Sequence, residues 1–241
     1  MSETEALRRE RRPSGVEVLR IDRPAQLGAF DSGLLREFNA ALDELAADPQ
    51  LRVLVVSTTS PDALSAGADV AEELDGEGGV ARMEAFTRMY AGIEAFPVPT
   101  IAVCVGHCVG AGAELAAGCD LRVAGDNLKA RWVGARHGVP VGPARLTPLI
   151  GTAPAKDLIF TSRRLEADEA LRIGFVRSVH PAAEAEAAAI ALAEDLAARP
   201  PEGLRTLKRL FLDFGDSAAR VERENAELLS FQRHGTGLPR R

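Results

Sequence analysis

Apolar residues recur along this chain with two periods. Val16 to Ile21 is β-branched and apolar and stops at Asp22-Arg23-Pro24, which predicts a short strand and a turn. Leu34, Leu35, Phe38, Leu42 and Leu45 then recur at three- and four-residue steps, predicting a helix capped by Asp31 or Ser32 and ended at Asp48-Pro49. Leu51 to Ser57 is apolar almost throughout, the pattern of a strand buried on both faces in a parallel sheet. Val80 to Phe96 reads as a helix, Pro97 and Pro99 as breakers, and Thr100 to Val105 as the next strand. It runs into a Gly-rich turn, Gly106 to Gly112, then an alanine-rich helix to Ala117 and a strand over Leu121 to Ala124. Strands alternating with helices predict an α/β core of crossover units. From Ala182 onward three helical stretches follow, Ala182 to Ala198, Glu202 to Phe214 and Ser217 to Phe231, an appendage packed on that core or on another subunit. The expected division is an α/β core over 1–181 and a helical region over 182–241, with no repeat or low-complexity linker between them.

Composition narrows the class. With 46% apolar and 27% charged residues, the 241-residue chain has the means to bury one substantial core. A net charge of −6 argues against a nucleic-acid partner, and Arg205, Lys208, Arg209, Arg220 and Arg223 are interleaved with acids. No apolar run reaches the roughly 18 residues of a membrane span. Met1 to Gly15, with Arg8, Arg9, Arg11 and Arg12, lacks a signal-peptide core and is expected as a solvated arm. Cys104, Cys108 and Cys119 are odd in number and form no C-x-x-C pair, which suits buried thiols in a cytoplasmic protein, with no metal site expected.

Two turns of small residues are the candidates for chemistry. Ser65-Ala66-Gly67-Ala68-Asp69 follows a loop, Gly110-Ala111-Gly112 follows a strand, and both are expected to open helices. The first N–H groups of a helix lack partners, so two such turns facing one point supply two donors to one oxygen. Each turn alone describes an ordinary tight turn equally well. The spacing is neither G-x-G-x-x-G nor a P-loop, which excludes those nucleotide sites. Glu114 lies three positions after Ala111 on a small, apolar helix face, where a carboxylate is paired, hydrated or functional. Desolvation would suit it to proton transfer, and a structural ion pair would account for it equally.

These blocks together resemble the enoyl-CoA hydratase/isomerase (crotonase) superfamily. The resemblance is carried by Pro97-Val98-Pro99-Thr100-Ile101-Ala102, by Gly106 through Ala116, and by Cys119-Asp120-Leu121-Arg122. Asp22-Arg23-Pro24, Ser65 through Asp69 and Leu165 through Val176 extend it, in the family's order, over most of the chain. It implies a crotonase-like α/β core of repeated ββα units with a C-terminal helical appendage.

The resemblance further implies an acyl-CoA substrate, with coenzyme A as part of that substrate and no separate cofactor. The N–H groups of Ala68 and Ala111 would hold the thioester oxygen and stabilise an enolate, with Glu114 as acid/base. Ala66, Asp69 and Val70 match positions along the CoA path. Gln26 falls in the segment Ala25 to Phe30, which lacks the basic residue and Asn often found there; Lys208 or Arg209 is the candidate to compensate. The family's second catalytic glutamate has no counterpart: Ala135-Arg136 stands in its place, and no Asp or Glu occurs from Asn127 through Lys156. Arg136 is instead the candidate to bind a substrate carboxylate, or is a solvated loop residue; His137 is a further titratable candidate, and His107 reads as structural. Homotrimers or pairs of trimers are the expected assembly. The expected reaction is hydration or dehydration. Isomerisation, decarboxylation, retro-aldol cleavage or a non-catalytic acyl-CoA-binding role are the alternatives, with the pocket walls expected from variable loops such as Gly76 to Phe86.

Overall fold

A computed structural model describes residues 6–238. In chain order the elements are Leu7–Arg11 (β1), Val16–Ile21 (β2), Ser32–Ala46 (α1), Val53–Thr58 (β3), Ala63–Ser65 (β4) and Gly76–Glu94 (α2). Thr100–Cys104 (β5), His107–Val109 (β6), Ala111–Gly118 (α3), Leu121–Gly125 (β7), Lys129–Arg131 (β8) and Gly134–His137 (α4) come next. Then follow Pro143–Ile150 (α5), Thr152–Thr161 (α6), Leu165–Glu166 (β9), Ala167–Arg172 (α7), Ser178–His180 (β10), Ala185–Ala197 (α8), Pro201–Phe214 (α9) and Ser217–His234 (α10).

The chain repeats one path three times: β3-β4-α2, β5-β6-α3 and β7-β8-α4. The first strand of each unit enters a six-stranded sheet ordered β1-β2-β3-β5-β7-β10, and the second enters a four-stranded sheet ordered β4-β6-β8-β9. The units therefore stack side by side and their strands run parallel within each sheet. The expected α/β architecture of repeated ββα units is the one observed.

Alternation along the strands separates two cores. Val16 and Val18 of β2 and Val53 and Val55 of β3 face α8, which meets them with Ala185, Ala189, Ala193 and Ala197. Alanines four apart on one helix face let the backbone lie close on a β-branched surface. Leu19, Ile21, Leu54 and Val56 face the other way, into the larger core closed by α1 and α2. The boundary expected at 181/182 thus runs through a shared core, because α8 covers one face of the sheet.

Two local expectations are corrected. The arm expected over the first fifteen residues includes β1, paired antiparallel to β2; residues 1–5 of that arm lie outside the described residues. Only Leu7 of β1 is buried, and its arginines find acids instead. Arg9 and Arg11 donate to the two oxygens of buried Glu17 at 2.9 and 2.7 Å, so a charged sequence forms an edge strand. The helix expected from Val80 is observed but starts earlier, at Gly76, inside the Gly76 to Phe86 stretch also expected as a variable loop: Asp75 caps α2 by accepting from the Gly78 N–H at 2.6 Å. Asp31, one of the two candidates, caps α1 through the Leu34 N–H at 2.8 Å.

Candidate active site

The first small-residue turn is aimed by a strand-like bridge. Ser65–Asp69 does not open a helix, since α2 begins only at Gly76. Phe30 and Ala68 instead form a parallel bridge in which the Phe30 N–H donates to the Gly67 carbonyl at 2.7 Å and the Asp69 N–H donates to the Phe30 carbonyl at 2.8 Å. In such a bridge the central residue's own N–H points to the opposite side. That residue is Ala68. Arg23 braces the turn, pairing with Asp31 at 2.8 Å and reaching Asp69 at 3.5 Å.

The second turn is the start of α3. Gly110 adopts φ 51° and ψ −115°, a conformation open to glycine, and delivers the chain into the helix at Ala111. As the first helical residue, Ala111 has no intrahelical acceptor for its N–H. Among the described residues neither the Ala68 nor the Ala111 N–H has a hydrogen-bond partner. The turns touch: a Cβ on Gly67 would stand 2.9 Å from the Val109 carbonyl oxygen and 3.5 Å from the Ala111 nitrogen. A Cβ on Gly112 would lie 2.5 Å from the Ser65 carbonyl oxygen, so glycine there lets α3 dock against β4.

Both turns line one cavity of about 640 Å³. Ala66, Asp69, Val70 and Gln26, expected along the CoA path, also line it. Its remaining walls include Met83 and Phe86 of α2, Val139 and Val141 of the segment before α5, Leu228 of α10, and Leu238. Among the described residues the polar side chains on the wall are those of Gln26, Asp69, Tyr90 and His137. Asp69 is committed to the Ala71 N–H at 3.0 Å as well as to Arg23. Burial pushes the Tyr90 hydroxyl far above its ordinary range. Among the described residues no group of three His, Cys, Asp or Glu side chains is placed to hold a metal.

Arg136, offered either as a carboxylate binder or as a solvated loop residue, is exposed on α4 and is not among the residues lining the cavity, whereas His137 is. Successive residues of a helical turn point about 100° apart, so the two neighbours diverge. Lys208 does not compensate for the missing basic residue, because its ammonium is held by the Val98 carbonyl at 3.0 Å and Asp120 at 2.7 Å. His107 sits in β6, in register with Lys129. The three cysteines are buried thiols, and Cys108 donates to the Gly112 carbonyl at 3.3 Å.

Glu114 is fully buried on α3 and lies behind the cavity wall, not in it. Its Oε2 accepts from the Arg145 Nε at 2.7 Å, and among the described residues its Oε1 has no partner. A Cβ on Gly142, next to the lining residue Val141, would stand 3.3 Å from that Oε1. Burial raises the Glu114 carboxyl to about 7, opposed by Arg145 and reinforced by Glu224 and Glu94. Arg145 is buried too; it binds Glu224 through Nη2 and lies over the Tyr90 ring, 4.5 Å from its centroid. Sequence reasoning missed Arg145, Glu224 and Tyr90. The available signals were an arginine flanked by Ala144 and Leu146 in an apolar helix and an acid on a helix otherwise read as an appendage.

Comparison with known proteins agrees with this fold. Residues 11–233 match the sequence profile described as Enoyl-CoA hydratase/isomerase. A "Probable enoyl-CoA hydratase echA8" of Mycobacterium bovis is 37% identical over 174 residues, 71% of this chain and 67% of that protein. A "Short-chain-enoyl-CoA hydratase" of Clostridium acetobutylicum is 31% identical over 205 residues, 80% of this chain and 76% of that protein. Among solved structures, an enoyl-CoA hydratase from Mycobacterium avium superposes with a TM-score of 0.85 at 22% identity, over 98% of this chain and 96% of the other; at that identity the likeness speaks for the fold. Pseudomonas aeruginosa DspI gives 0.81 at 26% identity over 96% and 97%. With a profile match spanning nearly its whole length and relatives above 30% identity, the chain belongs to the enoyl-CoA hydratase/isomerase family, the crotonase superfamily.

Proposed function

We propose that this protein is an acyl-CoA enzyme of the hydratase/dehydratase type that works through an enolate held by the Ala68 and Ala111 N–H groups. The observation that carries the reading is the pair of unpartnered N–H groups, delivered by two touching turns to one cavity. A thioester oxygen placed between them gains charge as the α,β bond reacts, and fixed donors stabilise that charge without reorganising. Ala66, Gln26, Asp69 and Val70 then border the CoA moiety. The walls built from Met83, Phe86, Val139, Val141 and Leu228 suit an uncharged acyl group, and Arg136 lies off that path.

Glu114 is the proton-transfer group in this reading. In hydration the ionised form of Glu114 takes a proton from water as the water oxygen bonds to the β-carbon, and returns that same proton to the α-carbon, so the carboxylate ends in its starting state. A carboxyl that titrates near neutrality serves as both acceptor and donor. With one such group, isomerisation by a proton shuttle, decarboxylation and retro-aldol cleavage remain within reach of the same enolate. No cofactor beyond the CoA of the substrate enters the scheme. A cytoplasmic homotrimer or homohexamer is the proposed state, supported by free buried thiols and by the exposed Leu207, Phe211 and Phe214 of α9.

One observation favours a second reading, a non-catalytic acyl-CoA-binding subunit: among the described residues the single carboxylate on the cavity wall, Asp69, is already paired. Incubating a panel of saturated, unsaturated, hydroxylated and malonyl-type CoA thioesters in D₂O, followed by mass spectrometry, separates the two. Wild type should hydrate a thioester or exchange its α-proton, and Glu114→Gln should bind it while losing turnover by about 100-fold or more. Equal turnover in the variant would sink the role of Glu114; thioester binding with no chemistry anywhere in the panel would establish the binding subunit.

A further inference from the structure

We infer that Glu224, on the C-terminal helix α10, is a positioning residue for Glu114: acting through Arg145, it keeps a proton on the acid/base group. The inference rests on the proposed role of Glu114 and adds the part of the molecule that sets its charge. Arg145 stands between two carboxylates, its Nε on Glu114 Oε2 at 2.7 Å and its Nη2 on Glu224 Oε1, with all three side chains buried or nearly so. One cation between two carboxylates leaves an excess negative charge where water does not screen it, and binding one proton removes that charge at the least cost.

The hydrogen bonds decide which carboxylate takes the proton. Glu224 has a donor on each oxygen, since its Oε2 also accepts the Ala144 N–H at 2.8 Å. Glu114 has one donor and an Oε1 without any. Donors stabilise an ionised carboxylate, so of the two it is Glu114 that takes the shared proton more readily. The other groups around Glu114 do not reverse this. From α2 come Glu94, of the same sign as Glu224 but paired with Arg220 of α10 at 3.3 Å, and Tyr90, whose burial keeps it neutral; with that pair balanced, the excess charge is still the one shared by Glu114 and Glu224 around Arg145. The strands β5 and β6 under α3 bring the thiols of Cys104 and Cys108.

A purely structural ion-pair network makes no demand on the charge of Glu224, which gives the test. Carboxyl-stretch infrared titration of the whole protein, with the Glu114 band identified by its loss in Glu114→Gln, reads the midpoint directly and without substrate. Wild type should titrate near neutral pH. Glu224→Gln keeps the size of the side chain and an acceptor for the Ala144 N–H, and should lower the midpoint by about one pH unit or more. The same downward move should appear in the pH profile of kcat/KM. Glu224→Asp, which keeps the charge, should stay near the wild-type midpoint.

A wild-type midpoint in the ordinary carboxylate range would overturn the inference without any variant. So would an unmoved midpoint in Glu224→Gln, or an equal fall in Glu224→Asp, which would assign the effect to packing. Turnover that survives in Glu114→Gln would overturn the catalytic reading of Glu114 alone, while the infrared titration would still decide whether Glu224 sets its charge.

Discussion

A buried carboxyl that prefers its proton leaves a signature in stability. Burial lifts Glu114 from an ordinary value of 4.5 to about 7, and the unfolded chain restores the ordinary value. Between those two values the folded protein holds a proton that the unfolded chain has released, so the contribution of Glu114 to stability falls as pH rises through the window and levels off above it. The difference in unfolding free energy between wild type and Glu114→Gln should therefore fall by roughly 3 kcal/mol from pH 4.5 to pH 7. Denaturant titrations at several pH values measure it, and a flat difference would mean that Glu114 is ionised throughout. The residue scale also shows what sequence reading reaches. Glu114 is conspicuous because an acid on a small, apolar helix face needs an explanation. Arg145 and Glu224 are 31 and 110 residues further along the chain, and only folding brings them into contact with it or with each other.

At the scale of elements, the clearest sequence-to-structure link is α8. Its alanines at positions 185, 189, 193 and 197 are a helical stripe of the smallest side chain, and the stripe lies on the valine face of the sheet. Space there is set by backbone approach, so a larger side chain has nowhere to go. Ala189→Leu should lower stability by about 1–3 kcal/mol, read as a drop in Tm, with thioester binding at the distant cavity unchanged. An unaltered Tm would show that the helix yields. Other elements were harder to read. The arginine-rich β1 hides its strand character because its side chains are satisfied by acids on β2, α1 and elsewhere, not by burial. The glycines of Gly76 to Gly79 made the first turn of α2 resemble a loop, and the Asp75 cap offsets their poor propensity. The short strands β4, β6, β8 and β9 have two or three residues each, too few for alternation to register.

For the whole molecule, α9 is the unfinished surface. Its polar face includes buried Lys208, held by Val98 and Asp120, while Phe211 and Phe214 are 77% and 84% exposed beside Leu207. Apolar rings at that exposure are the surface that the proposed assembly would bury. Replacing Phe211 and Phe214 together with Glu should reduce the sedimentation mass to that of one 25.6 kDa chain and leave the fold, by circular dichroism, unchanged. A wild-type protein already sedimenting as a single chain would remove this role for α9. On the same helix Lys208 spends its charge inside the protein, on the Val98 carbonyl and Asp120, and does not offer it to an anion.

The likeness to a known family supplied the ββα order; the sequence by itself determined the α/β class, the two small-residue turns and the isolated acid on α3. These are local: each depends on side-chain period, on glycine's freedom or on a polar group where none is expected. Tertiary structure decided the rest. It aimed the Ala68 N–H through a bridge to Phe30, 38 residues earlier, where the sequence suggested a helix start. It turned His137 toward the cavity and Arg136 away. It also set Glu114 behind the wall with Arg145 and Glu224, because the charge a buried group carries depends on which distant partners the fold brings within hydrogen-bond distance.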